Sequence, residues 1–236
     1  MSTWRVVPRY SAAMAGTNAP APRWTPVFER ISDEKRRRVL ESAKAAFARD
    51  GFAGTNVNHV AAAADISVGA LYKYFRTKDD LFLAIIEESH ALIESTLACI
   101  FAAEPSFFGR VEAILRAAIS SSRDDPELVR MYVACTTEEL SPLAERLSGS
   151  IETISATQYS RMVAEAAAAG EIASDVDPAL TAFILDDIFL MIQFSFASTY
   201  YRDRLRLFAG GAADDDEAIV AAALAFIRRA LERRQS

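Results

Sequence analysis

Cysteine is nearly absent: the 236 residues hold two, Cys99 and Cys135. Two lone, widely separated thiols build neither a disulfide framework nor a paired-cysteine zinc site, so both read as plain core residues in a reducing compartment. Histidine is equally scarce. His90 has no Cys or Ser at a supporting spacing, His59 reads as a surface residue, and neither a metal cluster nor a Gly-rich phosphate loop is present. Neighbouring carboxylates such as Asp186-Asp187 and Glu138-Glu139 stand about 100° apart on a helix, so they do not face each other as a catalytic pair would. Neither enzyme chemistry nor a cofactor or metal is therefore expected. Uninterrupted apolar runs of membrane length, about 18 to 20 residues, are also missing, because Asp186, Asp187 and Gln193 break the greasiest stretch. The N-terminus, MSTWRVVPRYSAAMAG, has no compact apolar segment behind a basic start, which argues against a secretory signal. A cytoplasmic chain with no membrane partner is the expectation. β-branched alternating runs are absent too, leaving an all-α fold.

Cations are missing from two long stretches, Asp79 to Gly109 and Met162 to Tyr201, although the chain as a whole holds 26 Lys and Arg. They gather elsewhere. Residues 30–80 carry ten Lys or Arg against seven Asp or Glu, whereas residues 81–236 carry thirteen against twenty-four. A net charge of −6 thus hides a cationic N-terminal third on an acidic body, the distribution of a protein that meets phosphates at one end.

Residues 1–28 scatter Pro8, Pro20, Pro22 and Pro26 among Ala, Ser, Thr and Arg without apolar period, and read as a disordered arm. From Asp33 the period is helical: Val39, Ala43, Ala46 and Phe47 share a face, and Gly51 stops the helix with Phe52 folding back on its last turn. A second short helix follows, with Thr55 as candidate N-cap and Val57, Val60, Ala61 and Ala64 on one face. Asp65-Ile66 makes a tight turn and Ser67 caps a third helix. On it Ala70, Leu71, Tyr74 and Phe75 fall on an inward arc, while Val68, Gly69, Tyr72, Lys73 and Arg76 fall on the other. Two short helices joined by a three- or four-residue turn form a helix-turn-helix, whose second helix lies in the DNA major groove. Nine residues from Ser67 to Phe75 span about 13 Å, comparable to a groove about 12 Å wide. Tyr72 and Tyr74 have two uses, as phosphate donors or as half-buried core residues. Thr77 and Lys78 open the next helix.

The segment GFAGTNVNHVAAAADISVGALYKYFRTKDDLF resembles the DNA-binding segment of the TetR family of bacterial transcriptional repressors. Thr55, the Val-x-x-Val-Ala at 57–61, Ile66-Ser67, the Leu-Tyr-x-Tyr-Phe at 71–75 and the Lys-x-x-Leu at 78–81 carry the likeness, which extends over residues 33–82. Asp65 departs from the glycine usual in that turn, and Asn56 from the usual Thr or Ser. Asp tolerates a left-handed backbone, so the turn is expected to survive. The resemblance implies that Thr55, Tyr72, Tyr74 and Lys78 contact phosphates and that Val68, Gly69 and Lys73 read bases.

The rest reads as helix, near 77–103, 107–122, 126–139, 142–169, 178–208 and 214–234, divided at Glu104-Pro105, Asp125-Pro126, Ser141-Pro142, Ala169-Gly170, Asp177-Pro178 and Gly210-Gly211. The domains expected are a 29–80 helix-turn-helix unit and an 81–236 effector-binding and dimerisation unit. One short helix reads few base pairs, so a homodimer on a palindromic operator in double-stranded DNA is expected. FILDDIFLMIQFSFASTYY at 183–201 is apolar nearly all round, and Ala222, Ala223, Phe226 and Ala230 form a small-residue stripe. Together they suit an intersubunit four-helix bundle. The family resemblance further implies a small-molecule effector, with Phe101, Phe107, Phe108, Met131, Tyr132, Phe183, Asp187, Met191 and Phe194 as the candidate pocket lining. The scarcity of cations there favours a largely apolar effector, neutral or cationic. The rival to a ligand-responsive repressor is a helical adaptor that binds protein alone, which leaves the basic recognition helix unused.

Overall fold

The computed structural model describes residues 23–135 and 151–232. Among them no strand occurs, and eleven α-helices follow in order. They are α1 (Pro26–Glu29), α2 (Asp33–Gly54), α3 (Val57–Ala63), α4 (Val68–Tyr74), α5 (Lys78–Ala103), α6 (Phe107–Asp124), α7 (Pro126–Cys135), α8 (Ile151–Ala169), α9 (Pro178–Ala197), α10 (Thr199–Ala209) and α11 (Asp216–Leu231), with a 3₁₀ turn at Gly210–Asp214 before the last.

The first unit folds as its apolar period dictates. Val39, Ala43, Ala46 and Phe47 of α2, Val60 and Ala61 of α3, and Leu71, Tyr74 and Phe75 on and just after α4 are all buried in one cluster with the start of α5. Gly51 takes φ 68°, ending the regular part of α2, and Phe52 stacks on Phe47 with ring centroids 5.9 Å apart. Asp65 holds the turn at φ 55°, the left-handed conformation expected of it. Ser67 caps α4 by accepting from the Ala70 N–H, and Thr77 caps α5 from Asp80. Thr55 is not the cap of α3. Asn56 accepts from the Asn58 N–H there, while Thr55 closes the end of α2.

The chain enters this unit earlier than its prolines suggest. Pro26 stands at the first turn of α1 after Thr25, and Phe28 is buried against Tyr74 and Phe75. Burying a phenylalanine is worth about 1.5–3 kcal/mol, part of what holds the six residues 23–28, which the composition placed in a loose arm. Residues 23–28 therefore belong to the first unit; residues 1–22 of that arm lie outside the described residues. The boundary expected at residue 80 falls inside α5, and the two units share core: Met131 of α7 is fully buried in the first cluster, with Leu128 and Tyr132 packed against it.

In the second unit α6, α8, α9 and α11 enclose a separate core that includes Leu115, Met162, Ile172, Phe189 and Ile227. The single helix expected at 178–208 is broken. Ser198 is extended at φ −111° and ψ 132°, ending α9 and starting α10. Among the described residues α9 is the one helix that reaches the dimensions of a bilayer span by length and composition, with mean hydropathy 1.6 over its best window. Asp186 and Asp187 sit at its middle, and Ala182, Leu185, Phe189 and Phe194 are buried against the protein. Cys99 is exposed, not a core thiol as its isolation suggested; its position on the open side of α5 decides this. The side chain of Cys135 lies outside the described residues.

Candidate nucleic-acid interface

The recognition surface rests on α4, seven residues or roughly 10 Å of helix. Leu71 and Tyr74 anchor one side in the core. Tyr72 (47% exposed), Lys73, Gly69 and Arg76 point to solvent, with Val68 partly covered. Helix α3 packs beneath α4, and the turn between them is pinned from α2, where Arg38 Nε donates to the Ala64 carbonyl at 2.9 Å. An exposed phenol, an ammonium and a guanidinium around a patch without a Cβ can hold phosphates and approach base edges. A Cβ added at Gly69 would meet only Ser67 Oγ at 3.9 Å within the protein, so the glycine there serves no packing need.

Three residues expected at phosphates face elsewhere. Thr55 is 4% exposed; its hydroxyl donates to the carbonyls of Gly51 at 2.6 Å and Ala46 at 3.2 Å, closing the end of α2. Tyr74 is 5% exposed and packs on Phe28. Lys78 points its ammonium at the carbonyls of Phe52, Ala53 and Thr55, at 2.7, 3.3 and 3.3 Å, and over the Phe52 ring. An ammonium has three donors, and three carbonyls take them. Thr, Tyr and Lys are amphipathic types, and their identity alone does not distinguish a tip that meets DNA from one that ties two helices together.

The family model for bacterial regulatory proteins, tetR family, matches residues 39–85, which hold most of α2, all of α3 and α4 and the start of α5. Residues 39–85 are thus a TetR-family DNA-binding segment. The HTH-type transcriptional regulator RutR of Escherichia coli K12 is 24% identical to it over 158 residues, 66% of this chain and 72% of RutR. A TetR-family regulator from Chloroflexus aurantiacus superposes with a TM-score of 0.63 at 21% identity, covering 89% of this chain and 99% of that one. FadR of Bacillus subtilis, solved with stearoyl-CoA, superposes with a TM-score of 0.64 at 14% identity, covering 80% and 97%. These relatives are transcriptional regulators, not enzymes. By this likeness the chain is a DNA-binding transcriptional regulator; its described residues are helices and turns, with a helix-turn-helix head and a helical second unit.

The nine side chains expected around an effector are not gathered in one place. Phe107 and Phe108 are buried in the second core with Phe101 packed on it. Met131 belongs to the first core, and Phe194 forms a third cluster with Tyr132 beside it. Phe183, Asp187 and Met191 are exposed on the outer face of α9. Positions 180, 183, 184, 187 and 191 share one side at 100° per residue, and Leu180 (64%), Phe183 (63%) and Ile184 complete an open apolar stripe there. On α11 the expected contact residues fare differently: Phe226 is 66% exposed, Ala222 and Ala230 are exposed, and Ala223 is partly covered by Val220 and Ile227's core.

Proposed function

We propose that the protein is a homodimeric repressor that sets α4 of each subunit into the major groove of a palindromic operator and is released by a small, largely apolar effector. The outward group of Tyr72, Lys73, Gly69 and Arg76 on a pinned recognition helix carries this reading. Val68 and Lys73 read bases and Tyr72 holds a phosphate; Thr55, Tyr74 and Lys78 act from beneath, by fixing the frame. The cytoplasm is where such a protein meets its DNA.

The apolar stripe of α9, with Phe226 of α11, supports dimerisation. Both helices rest on α6, and large exposed apolar stripes mark interaction surfaces. Asp187 falls in the same stripe, so it belongs to this surface in the proposal and not to a cavity.

The arginines nearest the second core favour a neutral or cationic effector. Arg110 pairs with Glu165, Arg116 with Glu112 and Glu217, Arg123 with Asp216 and Arg161 with Glu165, while Arg130 donates to the Ala197 carbonyl. Arg146 lies outside the described residues. A buried anion requires a paired cation, and a polyanion would have to draw some of these away. The stearoyl-CoA in the FadR neighbour supports the competing reading, an acyl thioester.

Capture of mixed genomic DNA fragments, followed by sequencing, tests the core of the proposal: an inverted-repeat motif among retained fragments is expected, and retention without preference overturns it. A metabolite panel scored for thermal stabilisation and operator release tests the effector class. Release by acyl-coenzyme A thioesters alone would reject the charge argument.

A further inference from the structure

Residues 23–31 lie before the matched family segment. They are nonetheless fastened to the recognition helix. The Thr25 N–H donates to the Tyr74 carbonyl at 2.9 Å, and the Thr25 hydroxyl donates to the Lys73 carbonyl at 2.5 Å. The last carbonyls of a helix have no partner within it. Because α4 ends at Tyr74, Thr25 supplies partners for two of them from outside. Phe28 lies under the same turn, its ring centroid 5.5 Å from Tyr74 and 4.7 Å from Phe75. The segment is itself held at both sides: Arg23 pairs with Glu87 of α5 at 2.7 Å, and Arg36 of α2 donates to the Glu29 carbonyl at 2.9 Å.

We infer that Thr25 is a positioning residue for base reading: its two hydrogen bonds hold the last turn of α4, and with it the outward Tyr72 and Lys73, in the pose that meets the groove. The inference rests on α4 being the helix that enters the DNA. A helix of two turns is marginal by itself, and its final turn carries the two largest outward side chains. Phosphate contacts tolerate a shift of that turn, because a charged tip on a flexible stem still reaches the backbone. Base-edge contacts do not, since they require donor and acceptor in register. Loosening the Thr25 clamp therefore lowers specific binding more than nonspecific binding, whereas a segment that merely stabilises the fold lowers both together.

The test uses the full chain as wild type, Thr25→Val, Thr25→Ser and Thr25→Pro. Dissociation constants are measured for the genomic fragment that the wild type retains most strongly and for a random-sequence duplex of equal length, at one salt concentration, with thermal melts recorded in parallel. Thr25→Val loses the hydroxyl donor; about three- to tenfold weaker binding to the specific fragment is expected, the size of one hydrogen bond, with random duplex changed by less than about twofold. Thr25→Pro removes both donors and loses more, and Thr25→Ser restores wild-type discrimination. Equal losses on the two duplexes, no loss on either, or failure of serine to restore the ratio overturns the inference. If the wild type itself prefers no fragment over random duplex, the assignment of α4 as reader falls, and the role of Thr25 falls with it.

Discussion

Replacing Lys44 with methionine would cut the charged link between the two units. Lys44 lies on α2 with its side chain 5% exposed, and its ammonium contacts Asp125 at 2.6 Å and Glu41 at 2.9 Å. Burial alone pulls this ammonium's pKa down, but the hydrogen bonds to Asp125 and Glu41 outweigh it and hold the group above its usual value. Asp125 has a second task, accepting from the Leu128 N–H at 3.2 Å and so capping α7. Breaking a buried pair from one side typically costs about 3–5 kcal/mol. Asp125 keeps that amide partner and some contact with water, which places Lys44→Met at the low end, about 3 kcal/mol. For a chain of this size that is a fall in Tm of roughly 6–12 °C. Denaturant titration and calorimetry read it directly. Adding Asp125→Asn, which retains the cap but removes the stranded charge, should recover a large part of the loss, because partners in one pair are not additive. The sign of the pH dependence follows from the raised pKa: the pair's contribution is complete below the unfolded lysine value of 10.5 and disappears as pH rises through the folded value. A loss below about 1 kcal/mol, or strict additivity in the double mutant, would refute the reasoning that this pair ties the units together.

Lys73→Ala should weaken binding to the specific fragment by about 1–3 kcal/mol and change random duplex less, as loss of a base reader does, read by titration of both duplexes; Lys78→Ala should instead lower Tm and leave the ratio of the two affinities unchanged. Phe226→Asp should give a monomer in sedimentation, with the head still folded by circular dichroism, because an unpaired charge at a dimer contact costs several kcal/mol, on the order of 3 or more; a mutant that stays dimeric sinks the assignment. Glu88→Gln should raise Tm at pH 7. Burial and then the nearby Glu41 charge lift the Glu88 pKa, against the pull of Arg36 and Lys44, so the wild type loses stability as pH rises from its unfolded value of 4.5 through the higher folded one, and the advantage of glutamine vanishes at about pH 4.5. Asp65→Gly should strengthen binding to specific and random DNA alike by removing a negative charge beside the recognition helix, and gel-shift titration with both duplexes checks it.

The helix-turn-helix was legible because its residues obey one rule at a time. Val39, Ala43, Ala46 and Phe47 have a single physical use, and their spacing declared the buried face of α2. Asp65 and Ser67 carry local preferences, for a left-handed turn and for an N-cap, that need no tertiary knowledge. Thr55, Tyr74 and Lys78 have two uses each, and the choice was made by partners distant in sequence: Ala46 for Thr55, Phe28 for Tyr74, Phe52 for Lys78. On α9 the difficulty was of another kind. A helix apolar on all sides has no polar face from which to take its register, so Phe183 and Met191 were indistinguishable in the sequence from Leu185 and Phe189, although the first pair faces out and the second faces in. For Thr25, Pro26 and Phe28 a usable signal was present, since a polar residue followed by proline marks a helix start. The other prolines obscured it.

The place of Met131 bears on how such a protein can be divided. Its side chain fills the interior of the reading head although it is carried by a helix some fifty residues further along the chain. A fragment ending after α5 would leave a hole the size of a methionine side chain, a defect that costs about 2–5 kcal/mol in a core, and would also lose Leu128 and Tyr132 from its wall. The head is therefore not a detachable cartridge. A hybrid that grafts it onto another sensor inherits a sound interior only if α7 travels with it, or if the new sensor offers a side chain of the same volume at the same spot.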